Sequence, residues 1–276
     1  MPDYTVAVAL SNPANVPKLI HIAALIATEY SGRLVVTSVV PAPDEEAPAS
    51  DHDPDAFDKA QSLVQRGYEA ALARGIQCDR RVAVGQHIHE GIVNVAEGHH
   101  ANLLVMGMSE SPHPLLEASD IEFDRVVDAV SAHAPCNVLV AKFRDGMHFD
   151  SALVWVSDHI DFRMAEQIIV PLHRQAGVEI EFVNFAASQQ QVGQARAQVN
   201  QQLTEAGLTG CGHLTVQVGE ETADAIIEAS KTYDLILLGT PPLHQLKHRL
   251  LGTVAEQVVA NAHCTTLLML PAEKSP

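Results

Sequence analysis

The stretch TVAVALSNPANVPKLIHIAALIATEYSGRLVVTSVV, residues 5–40, decides the fold. TVAVAL is a short apolar strand, VPKLIHIAALIATEY places its apolar side chains at helical period, and RLVVTSVV is a second strand. Outward from it the alternation continues, with a helix near residues 57–74, a strand near 80–84, a helix near 87–97, the strand NLLVMG, a helix near 123–133 and the strand NVLVA. A second run follows: SALVWVS, DFRMAEQIIVPLHRQA, VEIEFVNFA, a Gln-rich helix, LTVQVG, ETADAIIEASK, DLILLG, TVAEQVVANA and TTLLML. Apolar strands alternating with helices require a mostly parallel sheet covered on both faces, so each half reads as a doubly wound, Rossmann-like α/β domain with a five-stranded sheet.

The two runs are copies. Cys78 and Cys211 each precede an apolar stretch ending in Val-Gly and lie 133 residues apart; HAPCNVLVA around Cys136 matches NAHCTTLLML around Cys264 at 128, and Gly107 matches Gly239 at 132. A near-constant offset over a whole domain indicates a tandem duplication. The expected domains are residues 1–146 and 147–276, joined in FRDGMHFD, residues 143–150.

Composition narrows the function. A formal charge of −17 in 276 residues repels nucleic acid and anionic membrane surfaces. No apolar run reaches the length of a membrane span and the N-terminus lacks the basic start of a signal peptide, so a cytoplasmic location without membrane insertion is expected. The four cysteines show no CxxC spacing, which argues against a zinc site or a disulfide frame. Residues 41–58 hold seven acids and four prolines and read as a solvated loop. No phosphate-loop, dinucleotide or nucleophile-elbow motif is present, so catalysis is not expected. The histidine pairs His87 and His89, His99 and His100, and His244 and His248 lack companions at metal-ligand spacing, and no metal site is expected.

Two Rossmann-like repeats, each ending in a fourth strand plus Gly, a linker, a helix and a short strand introduced by a Pro-Cys or His-Cys pair, resemble a tandem universal stress protein. The nucleotide-binding signature of that family is Gly, two residues, Gly, nine residues, Gly, then Ser or Thr. Gly239, Pro242, Gly252 and Thr253 stand at those places, with proline for the second glycine. The resemblance implies an adenine-nucleotide seat, for ATP, AMP or a related ligand, in the second half. It implies as its residues Ser157 and Asp158 after the first strand, Gly239 and Thr240 after the fourth, and Gly252, Thr253 and Val254 opening the last helix, with Lys247 and Arg249 from the basic linker that also holds His244 and His248. Helix starts attract phosphate through free N–H groups and the helix dipole. Pro242 removes a backbone N–H there. In the first half Asp124 and Arg125 stand where Gly252 and Thr253 do, after an interval of 17 residues rather than 13, and an anion at a phosphate seat is repulsive. The first half is therefore expected to be the degenerate, structural copy.

The resemblance also implies association through the strands at residues 137–141 and 265–270, giving a pseudo-dimer of the two halves and further homodimerisation. Two roles are expected: a stand-alone stress-response binding protein, or a regulatory module of a membrane transporter. The second follows because residues 11–40 are similar to the modules appended to amino-acid permeases and sodium/proton antiporters.

Overall fold

The computed structural model describes residues 4–42, 55–108, 125–144, 146, 149–219, 222–240 and 253–272, and divides into two compact units, Met1–Val140 and Ala141–Pro276. The first unit is built of β1 (Thr5–Ala9), α1 (Val16–Glu29), β2 (Arg33–Pro41), α2 (Ala56–Leu72), β3 (Cys78–Gly85), α3 (Ile88–Gly98), β4 (Leu103–Gly107), α4 (Arg125–His133) and β5 (Asn137–Lys142). The second repeats the order with β6 (Ser151–Trp155), α5 (Phe162–Ala176), β7 (Glu179–Ala186), α6 (Val192–Glu205), β8 (Gly212–Val218), α7 (Ala223–Ala229), β9 (Leu235–Gly239), α8 (Thr253–Asn261) and β10 (Thr265–Leu270). The acidic loop lies mostly outside the described residues.

Strand order is β3-β2-β1-β4-β5 in the first unit and β8-β7-β6-β9-β10 in the second, the doubly wound arrangement that the alternation predicts. The pairs β1–β2, β1–β4, β6–β7 and β6–β9 are parallel. Sequence and burial agree closely in the central strands. Val6, Ala7 and Val8 of β1 are wholly buried, as are Leu235, Ile236, Leu237 and Leu238 of β9, because helices cover both sheet faces. β3 begins at Cys78, two residues before the strand that periodicity marks, since Cys78 and Asp79 pair with Leu34 and Val35 although Asp79 is a poor strand former.

Local signals set the helix ends. Asp161 caps α5, its carboxylate accepting the N–H groups of Arg163 at 2.9 Å and Met164 at 3.0 Å. α5 stops at Gly177, whose φ of 71° suits glycine and lets its N–H reach the carbonyl of His173. Among the described residues no helix is long and apolar enough to cross a membrane.

Candidate functional site

In the first unit β1 is flanked by β2 on one side and β4 on the other, and the two connections run in opposite directions. Strands that diverge in this way leave a crevice beyond their carboxyl ends, where open α/β sheets hold ligands. Here it is a cavity of about 390 Å³, within the range of small-molecule sites. Ala9 and Leu10 at the end of β1, Thr37 to Val40 of β2, and Met106 and Gly107 of β4 form the sheet side; Lys59, Ala60 and Leu63 of α2 and Ile88 and Ile92 of α3 form the walls. Small residues set the wall positions: a Cβ on Gly91 would stand 2.6 Å from Cγ1 of Val39, so α3 can lie this close to β2 only with glycine there.

The lining is chiefly hydrocarbon. The polar side chains among the described lining residues are those of Ser11, Thr37, Ser38 and Lys59. Thr37 is fully buried; its carbonyl accepts the Leu10 N–H at 2.8 Å, yet its Oγ1 has no hydrogen-bond partner.

The pairing register lets the second unit be compared position by position. Ala9 lies opposite Thr37 and Met106. Trp155 lies opposite Val183 and Leu238 in the same places. Val39 pairs with Ala83, and Phe185 with Gln217. Trp155 and Phe185 thus stand where the first unit has Ala9 and Val39, and with Leu153, Val183, Gln217 and α7 they border a small cavity of about 50 Å³. Trp155 is 4% exposed and its indole N–H has no partner. The strand ends are covered as well, since a Cβ on Gly239 would be 2.6 Å from Cα of Ile160 and 3.0 Å from the carbonyl oxygen of His159. The turn after β6 lies directly on Gly239.

The residues that the resemblance points to are distributed as follows. Ser157 is half-buried and its Oγ accepts the His159 N–H at 3.2 Å, holding the turn that covers Gly239; Asp158 on that turn is exposed. Thr240 is buried and its hydroxyl donates to the carbonyl of Met269 at 3.1 Å. Thr253 opens α8, with Val254 half-buried behind it. Gly252, Lys247 and Arg249, with Pro242, His244, His248 and Asp124, lie outside the described residues. The structure therefore brings Gly239 to Ile160, and it is Gly107 of the other repeat that borders an open crevice. TVAVA and SALVW differ at the last strand position, small against very large, a contrast already present in the sequence.

Reactive groups stand elsewhere. Burial pushes the thiols of Cys78 and Cys264 up to about 11 and that of Cys136 to about 12, so they stay protonated and unreactive. The rings of His87 and His89 stack at 5.5 Å and His133 lies 5.9 Å from His89, but among the described residues no three metal-ligating side chains are arranged to hold an ion.

The profile of the universal stress protein family matches residues 5–142 and 169–269, and the chain belongs to that family. Its fold is similar to that of the universal stress protein from Archaeoglobus fulgidus DSM 4304, with a TM-score of 0.66 at 16% identity over 98% of this chain and 98% of that one. It is similar also to the cytoplasmic domain of a prokaryotic cation chloride cotransporter, with a TM-score of 0.61 at 14% identity over 99% of this chain and 97% of that one. No curated protein matches the sequence.

Proposed function

We propose that this member of the universal stress protein family is a cytoplasmic regulatory binding protein without catalytic chemistry of its own, and that its first half holds the ligand. The carrying observation is the 390 Å³ crevice beyond β1, β2 and β4, at the point where the strand order reverses. Hydroxyls, one amine and hydrocarbon line it among the described residues, a set suited to holding a molecule rather than transforming one.

A second reading keeps the adenine-nucleotide seat of the second half. In its favour, α8 opens at Thr253, and the start of a helix attracts anions. Against it, Ile160 lies on Gly239, and Trp155 is buried on the adjoining strand. The likeness to a transporter's cytoplasmic domain supports a regulatory role in which the ligand alters a contact with a membrane transporter.

Trp155, the only tryptophan of the chain, separates the two seats. Titration with anilinonaphthalenesulfonate, an apolar body carrying one anion, is expected to give binding that leaves Trp155 emission unchanged and disappears in Ala9→Trp. ATP or AMP that binds by calorimetry, shifts Trp155 emission and survives Ala9→Trp would place the ligand in the second half and overturn the primary reading.

A further inference from the structure

We infer that the outer edge of the second repeat, strand β8, is a pairing surface for a second copy of this chain, and that the guanidinium of Arg196 holds it closed. Among the described strands β8 pairs with β7 alone, so one side of its backbone meets no other strand. The Gly219 N–H donates to the carbonyl of Ala186 at 3.0 Å, and strand backbone groups alternate in direction. The odd-numbered residues therefore bond toward β7, while Gly212, Leu214, Val216 and Val218 turn their backbone groups outward. The strand, GHLTVQV, holds no Asp, Glu, Lys, Arg or Pro, the residues with which exposed edges are commonly blunted. Its Val218 is 50% exposed.

Cover for this edge comes from another element. Arg196 of α6 donates a guanidinium N–H to the outward carbonyl of Leu214 at 2.9 Å. The first repeat covers the same place by another route. Leu34 pairs with Cys78 as Ile180 pairs with Gly212, so Arg80 of the outer strand β3 matches Leu214. Gln77 and Gly85 turn their carbonyls to β2, which leaves the Arg80 carbonyl outward, and it accepts from the guanidinium of Arg81 at 3.0 Å. Two unrelated arginines thus meet one edge carbonyl, beside an exposed valine, Val84 or Val218, at matching positions. β3 also carries Asp79, Arg80 and Arg81 in its own sequence, whereas β8 depends on Arg196. A second copy fits this edge because two β8 strands about a twofold axis run antiparallel and offer each other the same row of donors and acceptors. In a chain of net charge −17 this strand also brings no acid to the contact.

Sedimentation equilibrium of the full chain tests this, each variant being read against the wild type. Arg196 is exposed on α6, so its replacement leaves the core untouched. Arg196→Ala should raise the weight-average mass about twofold with increasing concentration, the mark of a closed pairing of copies, although it removes a positive charge from an acidic chain. Adding Val218→Lys, which sets a cation at the exposed end of the edge, should return the mass to that of the wild type. Hydrogen exchange reads the location: at associating concentrations the Val216 amide of Arg196→Ala should exchange about tenfold or more slower than in the wild type, because it then donates to the second copy. An unchanged mass in Arg196→Ala would overturn the inference. Association that Val218→Lys fails to reverse, or that leaves the Val216 amide as fast as before, would overturn it too, since the copies would then be meeting elsewhere.

Discussion

The same strand position is alanine in one half and tryptophan in the other: the alanine borders a large crevice, and the tryptophan ring is buried. Ala9 and Val39 border a crevice of about 390 Å³, whereas Trp155 and Phe185 at the matching positions border a cavity of about 50 Å³ beneath α7. Both halves keep the reversal of strand order that creates a crevice. Topology supplies the place, and the side chains at the last residues of the first two strands differ strongly in volume between the halves.

The comparison can be broken most forcefully at Trp155. Trp155→Ala should hollow the second half and destabilise it by about 3 to 5 kcal/mol in chemical denaturation followed by circular dichroism. A loss below about 1 kcal/mol would mean that the ring does not carry the packing. Gly239→Ala comes next. Its Cβ would press on the backbone of Ile160, so a cost of about 1 to 3 kcal/mol is expected in the same assay, and a neutral result would show that the turn after β6 does not rest on β9.

Ala9→Trp sharpens the comparison from the other side. Placing the second half's ring in the open crevice should change stability by only about 1 kcal/mol, because the space already exists, while removing anilinonaphthalenesulfonate binding. Retained binding with full occupancy would move the probe elsewhere.

The smallest effects concern pH, and the halves should differ there too. In the first half, burial and then the charges of Arg81 and Arg33 hold His99 below its ordinary range. Its unfolded form takes up a proton more readily, so stability falls as pH drops below about 6.5 toward the folded value. In the second half, burial raises Glu181, but hydrogen bonds from Tyr233 and Thr215 and the nearby His213 outweigh it and leave the carboxylate below its ordinary range. That contribution is present above the unfolded carboxylate range and is lost as pH falls through the folded value. Circular dichroism melts should therefore weaken slightly from pH 6.5 downward and His99→Gln should flatten that slope, while Trp155 emission melts should respond only at lower pH and Tyr233→Phe should diminish that response. Coincident pH profiles for the two probes would remove this distinction.

Much of the fold is legible in the chain. TVAVA and LILLG are uniform apolar runs because both of their faces are covered, and the repeats announce themselves through Gly107 and Gly239 and through Cys136 and Cys264. The site is less legible. A glycine after a strand signals close approach, but the sequence does not say of what: at Gly239 the approaching group is Ile160 of the same chain, only three residues after the Ser157 that the family resemblance assigns to a ligand. Motif spacing favours the second half, while the open volume lies in the first, since spacing records backbone positions and not whether a neighbouring ring fills the space between them.

By itself, the sequence determined two α/β repeats, their strand and helix order, the family and the absence of any familiar catalytic motif, because these follow from periodicity and local signals spread over many residues. Only the tertiary structure decided that the ends of β1, β2 and β4 enclose a cavity beside Ala9, that the Trp155 ring is buried at the matching position, and that the turn after β6 lies on Gly239. Those facts depend on which side chains from β1, β2, β4, α2 and α3 converge, and residues as far apart in the chain as Ala9 and Met106 become neighbours only when the sheet registers them.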